Sequence, residues 1–505
     1  MEACHQELIT PVLRQAECDA KRATGTESLC ARLITFVTLC SVPSWAVGQT
    51  PSTTSPQSRS ISPQAAPPSE STMSTIHPEP EPSKPTLKTP RFFTRAADKG
   101  VFFRLSFNEE LAGNPSGGIR QGFSASQYMI FGSDLDLRKL VGWRGAAFHA
   151  IVIAENSNPL SKNYIGGGID VQENAAPFNL VRFLNFTLEQ NITLRHDDDL
   201  QLIAGRMAVT PYFMQSVLTC LFMNHSFCGV MYGFTQSTGT AVAPVASWGG
   251  LAKYRFTAKF YGQFGGFAVD GNTLKASTDI FDWGTGGVSG VNYLAEIGHE
   301  THLSTERLPH YYRIGVSYLD APRNDVLFNT NMQPTFEFGG TPLTHRGEIA
   351  LYVTGGQAIS RPDPNSHRNL GLFASMYYNF ANSEAIRYSI RGGIVKAGTF
   401  KSRGHDTAGL AFSPTCFTSK EVAYLTGMRS KAGGEGRVPS NEWNLELNYG
   451  YELAPGVVLR PDVQYVIHPD SRYTPSYPSN IPNAFVIGLQ VNANIGTLFN
   501  LPQVR

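Results

Sequence analysis

The residues of this chain that could do chemistry lie in strand-like stretches rather than in compact motifs. Arg206, Lys259, Arg313, Arg391, Glu446, Arg460, Asp462 and Gln464 all fall in such stretches. Arginine and carboxylate side chains make paired, charge-assisted hydrogen bonds. A row of them on one sheet face is therefore either a binding surface or a set of braces within the wall. Arg403 and Asp406, in Arg403-Gly404-His405-Asp406, are read as part of a loop folded among them.

The compact motifs do not support catalysis. His299-Glu300-Thr301-His302 places its histidines at i and i+3 in strand-rich surroundings, whereas a zinc helix needs i and i+4. Asp197, Asp198 and Asp199 read as a hydrated turn before they read as a calcium loop. No Gly-x-Ser-x-Gly or phosphate loop occurs in a supporting context. The expectation is no catalytic residue, no metal and no cofactor.

Cysteine usage points to export. Arg32 precedes the apolar run Leu33–Cys40, and small residues follow near Ala46 and Gly48. That is the pattern of a signal peptide, assigned to residues 1–48 with a long leading region and cleavage after Ala46 or Gly48. Cys4, Cys18, Cys30 and Cys40 would leave with it. Of the remaining three, Cys220 and Cys228 lie close together in an exported chain and are expected to pair. Cys416 is left over. Residues 49–90 are mostly Pro, Ser, Thr, Gln and Glu, too poor in apolar surface to offset the entropy of ordering. They are read as a disordered periplasmic linker.

The elements that must position the charged residues repeat one device. Trp443, Leu445, Leu447, Tyr449, Tyr451 and Leu453 alternate with Glu442, Asn444, Glu446, Asn448, Gly450 and Glu452. Ala454-Pro455-Gly456 makes a turn, and the alternation resumes with Leu459, Val463, Tyr465 and Ile467. Each arm is about as long as a strand that crosses a bilayer at a tilt. The same period appears at 127–137, 181–195, 253–264, 312–318, 371–380, 386–391 and 485–495. Pro461 removes a ladder donor and predicts an interruption.

Bulk composition agrees. Of 505 residues only 16% are charged, with 48 Gly, 31 Phe and 20 Tyr. The mean hydropathy is −0.17, and past the N-terminus no apolar run approaches the length of a membrane helix. A net charge of +1 gives no reason to expect nucleic acid as a partner. Charges in mid-strand, such as Glu189, Lys259, Arg391 and Glu446, fit a wet lumen. Short connections (196–199, 454–456) alternate with long ones (211–250, 399–440), as at the two rims of an outer-membrane barrel. Residues 91–505 are thus expected to form an all-β, transmembrane antiparallel barrel of about sixteen strands.

Several blocks resemble the carbohydrate-selective porins of the OprB type. They are Gly113–Gly118, Asp134–Gly145, Ala204-Gly205-Arg206 with Phe213, Cys220–Gly229, Leu308–Gly315, and Leu459–Pro469 with Asn483-Ala484-Phe485 and Gly488. The resemblance implies an outer-membrane porin passing small sugars or polyols by facilitated diffusion, and it makes Pro461 less surprising. It turns the charged set above into pore-lining candidates for hydroxyl recognition. Outer-membrane lipid would surround the barrel, and the sequence leaves open whether it stands alone or as a homotrimer. Two other readings are a secreted all-β carbohydrate-binding protein or hydrolase, whose apolar rows would pack inward, and an outer-membrane barrel enzyme.

Overall fold

A computed structural model describes residues 87–503, except 177, 195–197, 303–304 and 364–366. The signal-peptide assignment, most of the linker and part of the Asp197–Asp199 turn lie outside the described residues.

A short helix, Arg91–Asp98, leads into the first strand. The strands that follow are β1 (Val101–Ser116), β2 (Gly122–Asp136), β3 (Ala146–Asn156), β4 (Leu180–Thr193), β5 (Asp199–Met207) and β6 (Ser247–Arg255). Next come β7 (Phe260–Asp270), β8 (Val288–Glu300), β9 (His310–Leu319), β10 (Arg323–Asn329), β11 (Pro342–His345) and β12 (Glu348–Ser360). The chain finishes with β13 (Asn369–Asn379), β14 (Ile386–Ala397), β15 (Thr407–Phe417), β16 (Asn441–Ala454), β17 (Val457–Ile467) and β18 (Ala484–Asn494). All except β10 and β11 form one closed antiparallel barrel, and those two make a separate ribbon in the connection after β9. The sixteen-stranded expectation holds. Closure comes from β1 pairing with β18, from Ser106 opposite Asn494 to Ser116 opposite Phe485.

The apolar rows point outward. Tyr312, Ile314, Val316 and Tyr318 are exposed along β9, as are Leu447 (53%) and Leu453 (61%) along β16. Among the described residues no helix is long and apolar enough to cross a membrane; the strands carry the apolar surface. In lipid, a closed sheet is the strand arrangement that satisfies its own backbone. An inward-packed carbohydrate-binding sandwich would have buried these same rows.

Connections alternate in length around the barrel. One rim carries 137–145, 194–198, 256–259, 301–309, 361–368, 398–406 and 455–456, together with both ends of the barrel chain. The other carries 157–179, 208–246, 271–287, 320–347, 418–440 and 468–483, with shorter links at 117–121 and 380–385.

Three local expectations change. The stretch 253–264 is not one strand: Thr257 Oγ1 accepts from the backbone N–H of Lys259 (3.2 Å) and Phe260 (3.1 Å), closing a tight turn between β6 and β7. The alternation of residue types runs on through that turn and hides it. The supposed long connection 399–440 contains β15, whose inward Thr407, Gly409, Ala411, Ser413 and Thr415 are too small to contrast with its outer row. Only 418–440 is a connection, and it holds a helix, Ser419–Lys431, capped by Thr418. In β4 the register slips opposite Ile151 and Val152. Leu184 therefore packs against the inner cluster of Ile153 and Leu180, while Phe183 lies 4.9 Å from Phe186. A one-residue slip turns the side chains beyond it to the other face. The expected interruption at Pro461 is present: pairing of β17 with β16 lapses between Asp462 and Leu459, while the ladder to β18 stays continuous.

Candidate functional site: a lumen narrowed by two inward loops

The long connection 208–246 does not stay at the rim. Its Phe213, Met214, Val230, Met231 and Phe234 are buried against inward-facing Phe267, Leu294, Tyr352 and Tyr377. Phe222 and Phe227 are buried with Tyr311, Phe373 and Val395. Burying each ring favours the folded-in position by about 1.5–3 kcal/mol. Close approach requires glycine on the wall: a Cβ on Gly409 would lie 2.8 Å from the Phe222 ring. Cys220 and Cys228 are bonded to each other near the tip of this loop. Cys416 is half-buried.

Charged wall residues grip the loop by its backbone. Glu446 accepts from Met223 N with Oε1 and from Asn224 N with Oε2, both at 2.9 Å, and Asn448 Nδ2 donates to Oε1 at 3.0 Å. Arg391 is fully buried; its Nη1 donates to the carbonyl of Phe227 and, at 3.0 Å, to that of Gly229. Arg313 donates to the Gln215 carbonyl at 2.5 Å, to the Tyr261 hydroxyl at 2.8 Å and to Glu300 at 3.0 Å. Gln464 ties two loops together: its Oε1 accepts from Asn224 Nδ2 and its Nε2 donates to the Val171 carbonyl, both at 2.9 Å. Asp462 accepts from Gln464 Nε2 at 3.0 Å, and Arg460 donates to Gln490 at 2.5 Å. These six sequence candidates face inward, and the first four of them act on the loops.

The other four are placed differently. On β5, Ile203 and Met207 belong to the inner cluster, so Arg206 faces outward. There it donates to the carbonyls of Asp282 and, at 3.0 Å, Ala246, and lies 5.7 Å from the Trp283 ring. Lys259 sits in the rim turn rather than in mid-strand and pairs with Glu306 at 2.6 Å. Arg403 and Asp406 belong to the rim connection 398–406, not to an inward loop. Asp406 accepts from Arg403 at 2.8 and 2.9 Å and from the hydroxyl of Tyr449, on the outer row, at 2.6 Å. Against the effect of partial burial, those hydrogen bonds hold the Asp406 carboxyl below the usual carboxylate range. Arg403→Ala is therefore expected to leave ion and solute selectivity unchanged in bilayer recordings.

A second inward loop, 157–179, is not legible in the sequence because its contacts are remote along the chain. Asn174 N donates to Glu110 at 3.0 Å, Ala176 N to Glu155 at 3.0 Å and Gly168 N to Asp470 at 2.7 Å. His225 N donates to the Asp170 carbonyl at 2.9 Å, which joins the two loops. The carboxylate of Glu173 comes within 4.8 Å of the sulfurs of Cys220 and Cys228. Those sulfurs are spent in their disulfide and are not thiolate ligands.

Further wall residues escape a reading by residue type alone. The Arg104 side chain, 36% exposed, stands in front of Asp134, which is 5% exposed. His149 bridges Asp134 (2.6 Å) and Glu189 (3.2 Å). Arg255 pairs with Glu300 at 2.9 Å, and Lys253 lies 3.9 Å from the centre of the Tyr261 ring. In the closed strand order β6, β7 and β9 stand opposite β16, β17 and β1. A wall carrying Lys253, Arg255 and Arg313, with Glu296 and Glu300 between them, thus faces one carrying Glu110, Glu446 and Asp462, with Arg460 among them. Donors outnumber acceptors on the first side, and acceptors outnumber donors on the second.

Glu173 gives this site a pH dependence. Burial, and then the nearby Glu155, push its carboxyl up to about 7, while Arg460 pulls the other way. Its charge is present above that value and lost as pH falls through it. Cation preference, read as reversal potential in a salt gradient, is expected to fall as pH is lowered through about 7. The Glu173→Gln channel should show a flatter profile; a flat wild-type profile would contradict the assignment.

Comparison with known proteins agrees with this architecture. Residues 120–495 match the family described as carbohydrate-selective porin, OprB family. Porin B of Pseudomonas aeruginosa is 25% identical over 414 residues, covering 79% of this chain and 88% of that protein. The high-pH structure of Pseudomonas putida OprB superposes with a TM-score of 0.70 at 26% identity, covering 79% of this chain and 95% of that one. With a closed sixteen-stranded barrel and a family match over most of its length, the chain belongs to the OprB family of carbohydrate-selective porins.

Proposed function

We propose that this protein is a passive channel for small carbohydrates, namely monosaccharides and polyols, and carries out no chemical step. Its family and its barrel indicate the outer membrane of a Gram-negative bacterium. One observation carries the finer reading: two inward loops, held by Glu446 and Glu110, narrow a lumen whose wall still presents the part-exposed Arg104 and Arg255. Each sugar hydroxyl both donates and accepts. Part-exposed donors such as Arg104 and Arg255 can therefore replace part of its water shell, while weak sites allow release. Outer rows of Leu, Ile and Tyr suit the surrounding lipid. By the habit of such barrels the short-connection rim faces the periplasm. Residues 1–48 would direct export, and residues 49–90 would lie in the periplasm as a linker.

Planar bilayers test this reading. Purified protein should open discrete channels whose ion current falls as glucose or mannitol is added on either side. Channels indifferent to every sugar, or no channels, would overturn it.

A further inference from the structure

The outer wall carries a feature that transport through the lumen does not use. From the β6–β7 turn at the short-connection rim to the middle of β8 and β9, and on to Leu351 of β12, an apolar groove of about 550 Å³ is cut into the lipid-facing surface. Its floor is made of small residues, Ala252, Gly262 and Ala295, and its sides of Phe256, Phe264 and Ile297. Gly262 keeps the floor open: a Cβ there would lie 3.3 Å from the Phe256 ring. The groove does not end in apolar surface. In the β7–β8 register Gly262 faces Ile297, and the next outward pair toward the rim is Phe260 and His299. That step is roughly 7 Å along the strands. His299 Nδ1 and His310 Nε2 are 3.0 Å apart. Lys259, in the adjoining turn, is half-exposed and paired with Glu306, itself exposed. Exposed pairs of that kind contribute little, so an anion can take the place of the carboxylate.

We propose that this groove is a binding site for one glycerophospholipid with an anionic headgroup; this rests on the outer-membrane reading above. An acyl chain lies over Ala252, Gly262 and Ala295, and the phosphate sits at Lys259 and the His299–His310 pair. A lysine whose only partner among the described residues is an exposed carboxylate, together with an imidazole donor at the rim end of an apolar groove on the face that meets lipid, favours this occupant. Phospholipid, rather than lipopolysaccharide, forms the periplasmic leaflet toward which this rim points. Within the pair one of the two facing nitrogens donates and the other accepts, which leaves His299 Nε2 as the ring nitrogen that can donate to the phosphate beside Lys259.

Native mass spectrometry of the purified full-length protein tests the proposal, with phosphatidylglycerol or phosphatidylethanolamine added in detergent. Wild type should retain one phosphatidylglycerol in preference to phosphatidylethanolamine. Ala295→Leu fills the groove while remaining apolar toward lipid, and should abolish retention of that molecule. Lys259→Gln should weaken it by about fivefold, as expected for one cation near an anionic lipid surface. Glu306→Gln, which frees Lys259, should strengthen it. A folded barrel is confirmed in each case by its heat-dependent gel mobility, and channel formation in bilayers, scored separately, reports on the porin reading. Equal retention of the two lipids, or retention that survives Ala295→Leu, would overturn the proposal.

Discussion

Glu446→Ala is expected to release the inward loop and widen the channel. The carboxylate is almost wholly buried and takes the backbone N–H groups of Met223 and Asn224, one on each oxygen. Hydrogen bonds to a charged group are worth about 1.5–3 kcal/mol each. Loss of both, with two amides left unpaired, should raise the population of the undocked tip on the order of a hundredfold or more. The barrel itself should persist, because its ladders and outer rows are untouched. Hydrogen exchange at the Met223 and Asn224 amides should accelerate, single-channel conductance should rise, and sugar block should weaken. Glu446→Gln, which can still accept on one oxygen, should fall between. Unchanged exchange and unchanged sugar block in the alanine variant would refute the clamp.

Arg313→Ala should act more severely, on the wall as well as the loop. Arg313 is buried, and its guanidinium holds Glu300, the Tyr261 hydroxyl and the Gln215 carbonyl at once. Its removal leaves Glu300 paired with Arg255. The Gln215 carbonyl and the Tyr261 hydroxyl then lose their charged donor, at about 1–3 kcal/mol for each buried group left unsatisfied. The expected result is a lower temperature for the heat-induced mobility shift of the barrel and a less sugar-selective channel in whatever folds. Arg313→Lys should recover stability only in part, since a single ammonium cannot reach three partners arranged around a planar fork. A variant as heat-resistant as the wild type would contradict this role.

The difference between these residues and the rim residues explains what the sequence can tell. Alternation in β9 and β16 is legible because lipid imposes one demand on every second residue. Composition and connection lengths then point to the barrel class. The clamps are legible only as inward charges. Glu446 and the amides it holds lie more than two hundred residues apart, and nothing local to either announces the other. Arg206 misleads because Gly205 and Ala204 beside it give no apolar contrast, so its face cannot be assigned without the register. Lys259 misleads because residue types keep alternating through a turn that a threonine hydroxyl closes. The β15 strand is hidden because its inward residues are small where the loop's Phe222 needs room. The second loop, with Glu173 at its end, has no periodicity at all; its inward course follows from contacts with Glu110, Glu155 and Asp470.

An oily outer wall that encloses a watery passage, narrowed by two clamped loops, should sort polyhydroxylated solutes by size. Swelling of liposomes containing the purified protein, measured with a graded series from polyols and monosaccharides to trisaccharides, tests this most directly. Rapid swelling is expected for the smaller solutes, with a steep fall at the larger ones and a shifted cut-off in Glu446→Ala. Rates no faster than those of protein-free liposomes for every solute would contradict it.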